Sequence, residues 1–406
     1  MTTALIIGGG IAGPVTAIAL RRAGIDATIH EAYGESAGLA HGVYLTVAVN
    51  GLRALQAIDA HRPVLEHGFP TGAIEFFSGT GKHLANVPLG PALPDGTVTH
   101  TIKRADLYRA MTEQAASLGI RTEYSKRLVA AETTPSGRVV ARFADGTQAE
   151  GDVLIGADGI HSATRRIIDP GAPAPRYTGL GNIGGFARGV DLRSLGIKPG
   201  TYNMVFGKRC FFGFTVSPNH EIWWFGNPPS AQEPSREELS ATTSDQWKRQ
   251  LLDLYRDDRS PAARIVEATT GPLRGTNQYD MPPVPVWHRD RMVVVGDAAH
   301  AVSPSSGQGV SLAAEDAVTL AACLRDHRDP AAAFAAYEAL RRERVERVVA
   351  YGKRMGSFKA AGPVGRVIRD LVLPGIMRRQ SRPAAMSSLS WLFDHHVTWE
   401  PEPRAA

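Results

Sequence analysis

Short apolar runs broken by glycine set the rhythm at the start of the chain. Ala4 to Ile7 is an apolar run that predicts a β-strand, and a glycine-rich stretch ends it. From about Pro14 to Ala23 the pattern predicts a helix, and "DATIHEA" predicts a second strand that ends at Glu31. The rhythm changes in the middle of the chain. There "GNIGGFARGV", "GTYNMVFG", "RCFFGFTVSP" and "HEIWWFGNPP" read as successive antiparallel strands with turns at Gly, Pro and Asn. An earlier hairpin, "AIEFFSGTGKHLANVPL", is expected to join the same sheet. A helix, "DQWKRQLLDLY", another strand and the proline-rich "YDMPPVPVW" follow. Beyond them come the apolar strand before Gly296-Asp297, a helix from about Val310 and an alanine-rich helix from Pro330.

Composition narrows the class. At 406 residues the chain exceeds the usual single-core size, so an α/β domain with an embedded second domain is expected. Hydrophobic residues at 43% and charged residues at 21% are ordinary for a soluble globular enzyme and argue against disorder. The two cysteines, Cys210 and Cys323, have no metal-ligand spacing and form no disulfide framework, which fits buried thiols in a reducing cytoplasm. No metal site is expected. The apolar start lacks a basic flank and is interrupted by glycines and a proline, so it does not read as a signal peptide. No other stretch reaches the roughly 18 apolar residues of a membrane span, and no stable membrane association is expected. The net charge is +5, with the tail from Arg341 carrying +7 and the remainder −2. Signs alternate along "RRERVERVVAYGKRM", as on a solvated helix face. No zinc finger, basic zipper or repeated aromatic and basic platform is present, which excludes the usual nucleic-acid readers.

The chemistry begins in the first turn. Gly8-Gly9-Gly10-Ile11-Ala12-Gly13 has the spacing G-x-G-x-x-G between a strand and a helix. Gly8 allows the tight turn, Gly10 lets a pyrophosphate approach the backbone, and Gly13 permits close packing of helix on strand. The helix N-terminus then faces the phosphates with its N–H groups and dipole. Glu31, 18 residues beyond Gly13, is placed to accept hydrogen bonds from ribose hydroxyls. A carboxylate there disfavours a 2′-phosphate and leaves FAD or NAD open.

Two further motifs decide between them. "EGDVLIGADGIHSATRR" is an apolar strand ending in Gly-Ala-Asp-Gly, with Ser162 and Arg165 entering a helix. "VVVGDAAHAVSPSSGQGVSLAAEDA" ends a second strand in Gly296-Asp297 and leads through Pro304 and Gly307-Gln308-Gly309 into a helix. In order and spacing the three motifs resemble the FAD-dependent aromatic hydroxylases, the p-hydroxybenzoate hydroxylase family of flavoprotein monooxygenases. The resemblance covers most of residues 1 to 325. It implies a Rossmann-like FAD-binding domain over residues 1–170 and 286–355 and a mixed or antiparallel substrate sheet over 171–285. Residues 64–103 contribute to that sheet, and a helical segment over 356–406 ends the chain.

The resemblance also assigns residues. Gly8, Gly10, Ala12, Gly13 and Glu31 belong to the first dinucleotide motif, and Asp158 to the second. Asp297 matches the residue that meets the FAD ribityl chain. Pro304, Gly307, Gln308 and Gly309 match the segment along the isoalloxazine ring, and the helix from Val310 aims its positive end at the ring. Arg104, at the head of "RADLYRAM", matches an arginine that reaches the pyrophosphate or ribityl region. Leu128 matches a position whose backbone meets the adenine, and Gly42 to Leu45 pass near the ring. Ala32 stands where the family often has arginine. His41 is read as a loop histidine rather than a base.

The implied reaction uses NAD(P)H, with NADPH favoured, to reduce FAD, and Arg165 is a candidate for the nicotinamide contact. O2 then adds at the flavin C4a carbon, and the hydroperoxide passes one oxygen atom to an aromatic or polycyclic substrate. Met204, Phe214 and Trp224, with Pro304, are the candidate substrate pocket. Epoxidation and Baeyer-Villiger insertion use the same intermediate. A halogenase would carry a "WxWxIP" segment, which Trp223-Trp224-Phe225 does not match. A flavin-dependent reductase of isoprenoid chains is a further alternative. A GDP dissociation inhibitor-like binding protein shares the fold but has no need of Asp297 with Gly-Gln-Gly.

Overall fold

The strand Thr3–Ile7 lies inside a six-stranded sheet, and its position explains its composition. A computed structural model describes residues 2–40, 42–191, 197–357, 375 and 389–400. In it the sheet runs His288–Arg289, Met292–Val294, Val153–Gly156, Thr3–Ile7, Asp26–His30, Arg121–Glu123. Ile6 sits opposite Ile155 on one side and Ile29 on the other, both in parallel register. All three are fully buried. Parallel strands covered on both faces have no solvent side, so they read as unbroken apolar runs. Only His288–Arg289 runs antiparallel, as a short edge. The helix Ala12–Arg22 returns against this sheet, and the helix Gly309–Asp326 packs in turn against Ala12–Arg22, Val49–Gln56 and Pro330–Ser357.

The second sheet has eight strands. Its order is Thr269–Thr270, Arg176–Ala187, Ile222–Asn227, Phe211–Val216, Thr201–Phe206, Ala73–Ser78, His83–Pro88, and Thr276–Asp280 pairs with the first half of the long strand Arg176–Ala187. The hairpin Ala73–Pro88 enters it by parallel pairing with Thr201–Phe206, while the remaining pairs are antiparallel.

Register decides which aromatic faces which way. Phe214 lies opposite Trp224, and both point to the face covered by the helices Ser244–Tyr255 and Ala262–Glu267. There they join Phe212, Leu251, Tyr255 and Ile265 in one core. The Trp224 Nε1–H donates to Thr269 Oγ1 at 2.9 Å, which satisfies its one polar atom. The pocket expected of Phe214 and Trp224 is therefore corrected: both are walled off from the other side of the sheet. Met204, Trp223 and Phe225 take the opposite face. Trp223 and Phe225 each lie with ring centroids 6.0 Å from Tyr44, which belongs to a three-stranded sheet of Tyr44–Val47, His100–Lys103 and Phe69–Pro70. Both faces of these strands are apolar, so alternation alone gives the period without the sign.

No described helix is long and apolar enough to cross a membrane. His41 and most of the segment 356–406 lie outside the described residues. Within the described part, Ser390–Phe393 is a short helix that packs on Val49–Gln56, with Leu392 and Phe393 buried.

Trp224→Ala is expected to lower the unfolding free energy by about 3–5 kcal/mol, measured by denaturant titration. A midpoint equal to that of the parent protein would place Trp224 outside the core.

Candidate active site

The first turn is built by contact rather than by flexibility alone. Gly8 adopts φ +106°, and a Cβ there would lie 2.5 Å from the Ala157 carbonyl oxygen. The turn after Ile7 thus presses against the turn that carries Asp158. At Gly13 a Cβ would lie 2.0 Å from the Gly8 carbonyl oxygen, so the helix can seat only on glycine. Gly10 is different: nothing lies within 4 Å of where its Cβ would be. It faces open space beside the N-terminus of Ala12–Arg22, which has no side-chain cap. Those unpartnered N–H groups and the dipole make this end suited to an anion. Glu31 holds the turn from the other side, its Oε2 accepting from Gly9 N at 2.6 Å and its Oε1 from Tyr33 N at 2.9 Å.

The Asp158 turn is self-contained. Its carboxylate accepts from Ser162 Oγ at 2.5 Å, Ala163 N at 2.8 Å, and Thr164 N and Oγ1 at 3.0 and 3.1 Å, capping the helix Ala163–Ile168. Arg165 does not offer the nicotinamide contact expected of it. It is 1% exposed and donates to the carbonyls of Ala298 at 2.8 Å and Ile160 at 2.7 Å. It works as a brace between two turns. Leu128 is buried and opens the strand Leu128–Thr133, where it lies opposite Phe143 across a register shift.

A second group of residues meets the first. Gly296, at φ +59°, is approached by Ala12 and Ala313, each with its Cβ 3.4 Å from where a Gly296 Cβ would sit. Asp297 follows, its side chain open to the cleft while protein surrounds it at longer range. That enclosure raises its carboxyl pKa, against the fields of His300 and Arg104. Arg104 heads the helix Arg104–Ser117 and donates from Nη1 to the Gly38 carbonyl at 3.0 Å. Its Cδ lies 2.8 Å from where a Cβ on Gly42 would be, so the loop before Tyr44 wraps the arginine. Leu45 follows on the strand Tyr44–Val47, opposite Ile102.

Pro304 is exposed and opens a 3₁₀ turn, Pro304–Ser306. Gly307 ends it in the left-handed conformation, φ +63°, with Thr46 about 3.9 Å from its Cβ position. Gln308 is buried and accepts at Oε1 from Asn50 Nδ2 at 3.0 Å. Gly309 begins the helix that includes Val310, at an ordinary φ and with Val302 no closer than 3.7 Å, so local geometry does not demand glycine there.

Sequence reasoning missed what lies beneath this loop. Glu315 and Asp316 are fully buried on adjacent positions of Gly309–Asp326. Arg341, 1% exposed, bridges them, with Nη1 2.7 Å from Glu315 Oε2 and Nε 2.8 Å from Asp316 Oδ1. Arg344 adds two contacts to Glu315, at 2.7 and 2.8 Å. Asp316 Oδ2 accepts from Gly296 N at 2.9 Å and lies 2.5 Å from His300 Nε2, while Glu315 Oε1 accepts from Asn50 Nδ2 at 2.7 Å. The pair of acids therefore holds both ends of the Gly296–Gln308 segment. Burial pushes the Asp316 carboxyl up, but His300 and Arg341 outweigh it and hold it at about 2. Burial acts likewise on Glu315, which Arg341 and Arg344 keep below the ordinary range. The signal was readable: "AAEDA" sets two adjacent acids inside an apolar helix, where unpaired charges do not stay.

Folding takes the Asp316 pKa from 3.8 to about 2, so its stabilisation is full above about pH 4 and is lost as pH falls toward 2. Asp316→Asn is expected to flatten the fall of unfolding free energy over that window. Arg341→Met leaves two buried carboxylates and is expected to destabilise by about 3–5 kcal/mol. Equal acid sensitivity of Asp316→Asn and the parent in pH-dependent denaturation would show that the Asp316 carboxylate contributes nothing.

The donor set fits FAD. An open glycine cradle and an uncapped helix end suit a pyrophosphate, and a carboxylate open to the cleft beside a guanidinium suits the ribityl region. Residues 1–351 match the family model described as FAD binding domain. Aurachin C monooxygenase/isomerase of Stigmatella aurantiaca is 31% identical, over 88% of this chain and 89% of that protein. An FAD-dependent urate hydroxylase of Mycolicibacterium vanbaalenii is 30% identical over 85% of each. In fold, HpxO of Klebsiella pneumoniae, solved with FAD and uric acid, superposes with a TM-score of 0.83 at 25% identity, over 96% of this chain and 97% of that one. The chain belongs to the FAD binding domain family and, with these relatives, to the FAD-dependent monooxygenases.

Proposed function

We propose that the protein is a single-component hydroxylase that draws electrons from NAD(P)H, NADPH by preference, and places one oxygen atom of O2 on an aromatic or polycyclic small molecule. One observation carries the reading: three turns distant in sequence close on one cleft. Gly296 meets Ala12, Gly307 meets Thr46, and Arg104 is wrapped by Gly42 while its charge acts on Asp297.

Each turn has its part. The backbone of Gly8, Gly10, Ala12 and Gly13 binds the pyrophosphate, Glu31 the ribose, and the chain at Leu128 the adenine. Arg104 and Asp297 hold the ribityl and phosphate region. Leu45, Pro304, Gly307, Gln308, Gly309 and Val310 frame the ring, with the dipole of Gly309–Asp326 directed at it. Asp158 shapes the site through the helix it caps. When bound, FAD supplies the two-electron chemistry that couples a nicotinamide to O2.

The protein's part is shape and the exclusion of water. Tyr44, Trp223 and Phe225 pack as an aromatic wall on the sheet face next to the ring-side strand. Tyr202 is anchored there by Thr46 and Thr101, each 2.8 Å from its hydroxyl. Such a wall suits a flat substrate body. The relatives whose names specify urate and aurachin C support an aromatic or heteroaromatic substrate. Two buried, unpaired cysteines are compatible with a cytoplasmic setting.

Anaerobic stopped-flow reduction by NADPH and NADH, with and without a panel of polycyclic phenols, tests the proposal. One compound is expected to accelerate reduction and, on admission of labelled O2, to gain one labelled oxygen atom. Flavin that neither nicotinamide reduces, with any compound present, would overturn the single-component reading. Asp297→Ala is expected to weaken FAD binding at least about tenfold, the worth of a charge-assisted hydrogen bond, measured by fluorescence of released flavin. Unchanged retention would remove Asp297 from the site.

A further inference from the structure

A cavity of about 480 Å³ lies behind the flavin-side segment, between Ala299–Ser305, the chain Gln278–Trp287 and the helix Pro330–Ser357. We infer that it takes an uncharged, apolar arm of the substrate, such as an alkyl or aryl substituent on the reacting ring. The inference rests on the hydroxylase reading above and names the kind of molecule that reading leaves open.

Its surface is mostly apolar. Met281, Val284, Trp287, Ala301, Val345 and Val349 all line it. Several of the polar groups among its walls are already engaged, while Gln278 Oε1 and Ser305 Oγ are buried without a partner and Lys353 lies at the rim. Trp287 Nε1 donates to the Val284 carbonyl at 3.1 Å. Arg342 lies 4.8 Å from the Trp287 ring centre, donates to the carbonyls of Val284 and Pro285 at 3.1 and 3.0 Å, and pairs with Glu338 and Glu346. Arg176 pairs with Asp280 through two bonds, at 3.0 and 2.8 Å. His300, also in the lining, is held by Asp316. Along the stretch formed by Met281, Val284, Trp287, Ala301 and Val349 an apolar group displaces only water.

Size and place select the occupant. The volume falls in the range of small-molecule sites, about 300–1,000 Å³. Ser303 and Ser305 line the cavity, and Pro304 between them is exposed. A ring lying against Pro304 therefore has the cavity within reach of its substituent. The long strand contributes Thr178 and Leu180 to the same cavity, so it borders the substrate sheet as well as the flavin loop.

The test titrates the FAD-loaded protein with phenol and a series of 4-alkylphenols, reading the perturbation of the flavin spectrum. The dissociation constant is expected to fall roughly three- to fourfold per methylene, the transfer free energy of a buried CH2 expressed as a ratio, until the cavity is full. Ala350 lines the cavity from an exposed helix position, so Ala350→Trp fills it with little risk to the fold. In that variant, checked for FAD content, the dependence on chain length is expected to collapse. No dependence in the parent protein, or the same slope in Ala350→Trp, overturns the proposal. A protein that holds no flavin would overturn the hydroxylase reading instead, and the same titration followed by tryptophan fluorescence then reads the cavity by the same slope.

Discussion

Two carboxylates buried side by side are the constraint around which the segment Gly296–Gln308 is arranged. Glu315 and Asp316 sit amid the apolar stretch of the helix Gly309–Asp326, and moving them out of water is unfavourable by several kcal/mol for each ion. Arg341 and Arg344 offset that penalty, and both belong to the following helix. The two helices therefore cannot separate without exposing or orphaning a charge. Because Asp316 also binds Gly296 N, and Glu315 reaches Gln308 through Asn50, the geometry of the loop is set by a charge balance beneath it. The glycines on the surface of the loop supply conformational permission, and the ion pairs supply the restraint.

Much of this was legible in the sequence because it is local. The first turn needs a backbone that approaches Ala157 and a helix that touches Gly8, and both demands fall on glycine at fixed spacing. Gly307, held at φ +63°, is local in the same sense. Arg104 at a helix head and the acid after Gly296 were legible through their resemblance to a family pattern. What the sequence concealed was non-local. Arg165 lies next to a recognisable motif, yet its guanidinium turns inward to Ala298, a partner 133 positions away. Phe214 and Trp224 carry the composition of a pocket, but which face they take depends on the register of strands whose two sides are both aromatic.

The substrate sheet shows how that ambiguity is resolved in space. On one side, Phe212, Phe214 and Trp224 interlock with two helices into a closed core, and Phe212 and Trp224 stack with ring centroids 5.4 Å apart. On the other side, Tyr202 bonds Thr46 and Thr101, and Trp223 packs on Tyr44. The sheet thus has a face closed by helices and a face that meets Tyr44, Thr46 and Thr101, built from the same residue types. The one-residue alternation of the strands keeps them apart.

The same charge cluster ties the Gly296–Gln308 loop to the last described residues. Arg344 donates to the carbonyls of Trp391 and Leu392, at 2.6 and 3.0 Å, while it holds Glu315. Arg325 reaches the Trp399 carbonyl at 2.6 Å and stacks on its indole, which Arg22 of the first helix also covers. During synthesis these partners leave the ribosome long after the glycine motif of the first turn. The buttress beneath Gly296–Gln308 therefore closes only after Trp391 has been made rather than with the N-terminal turn, and a nascent chain short of Trp391 presents the glycine motif without it.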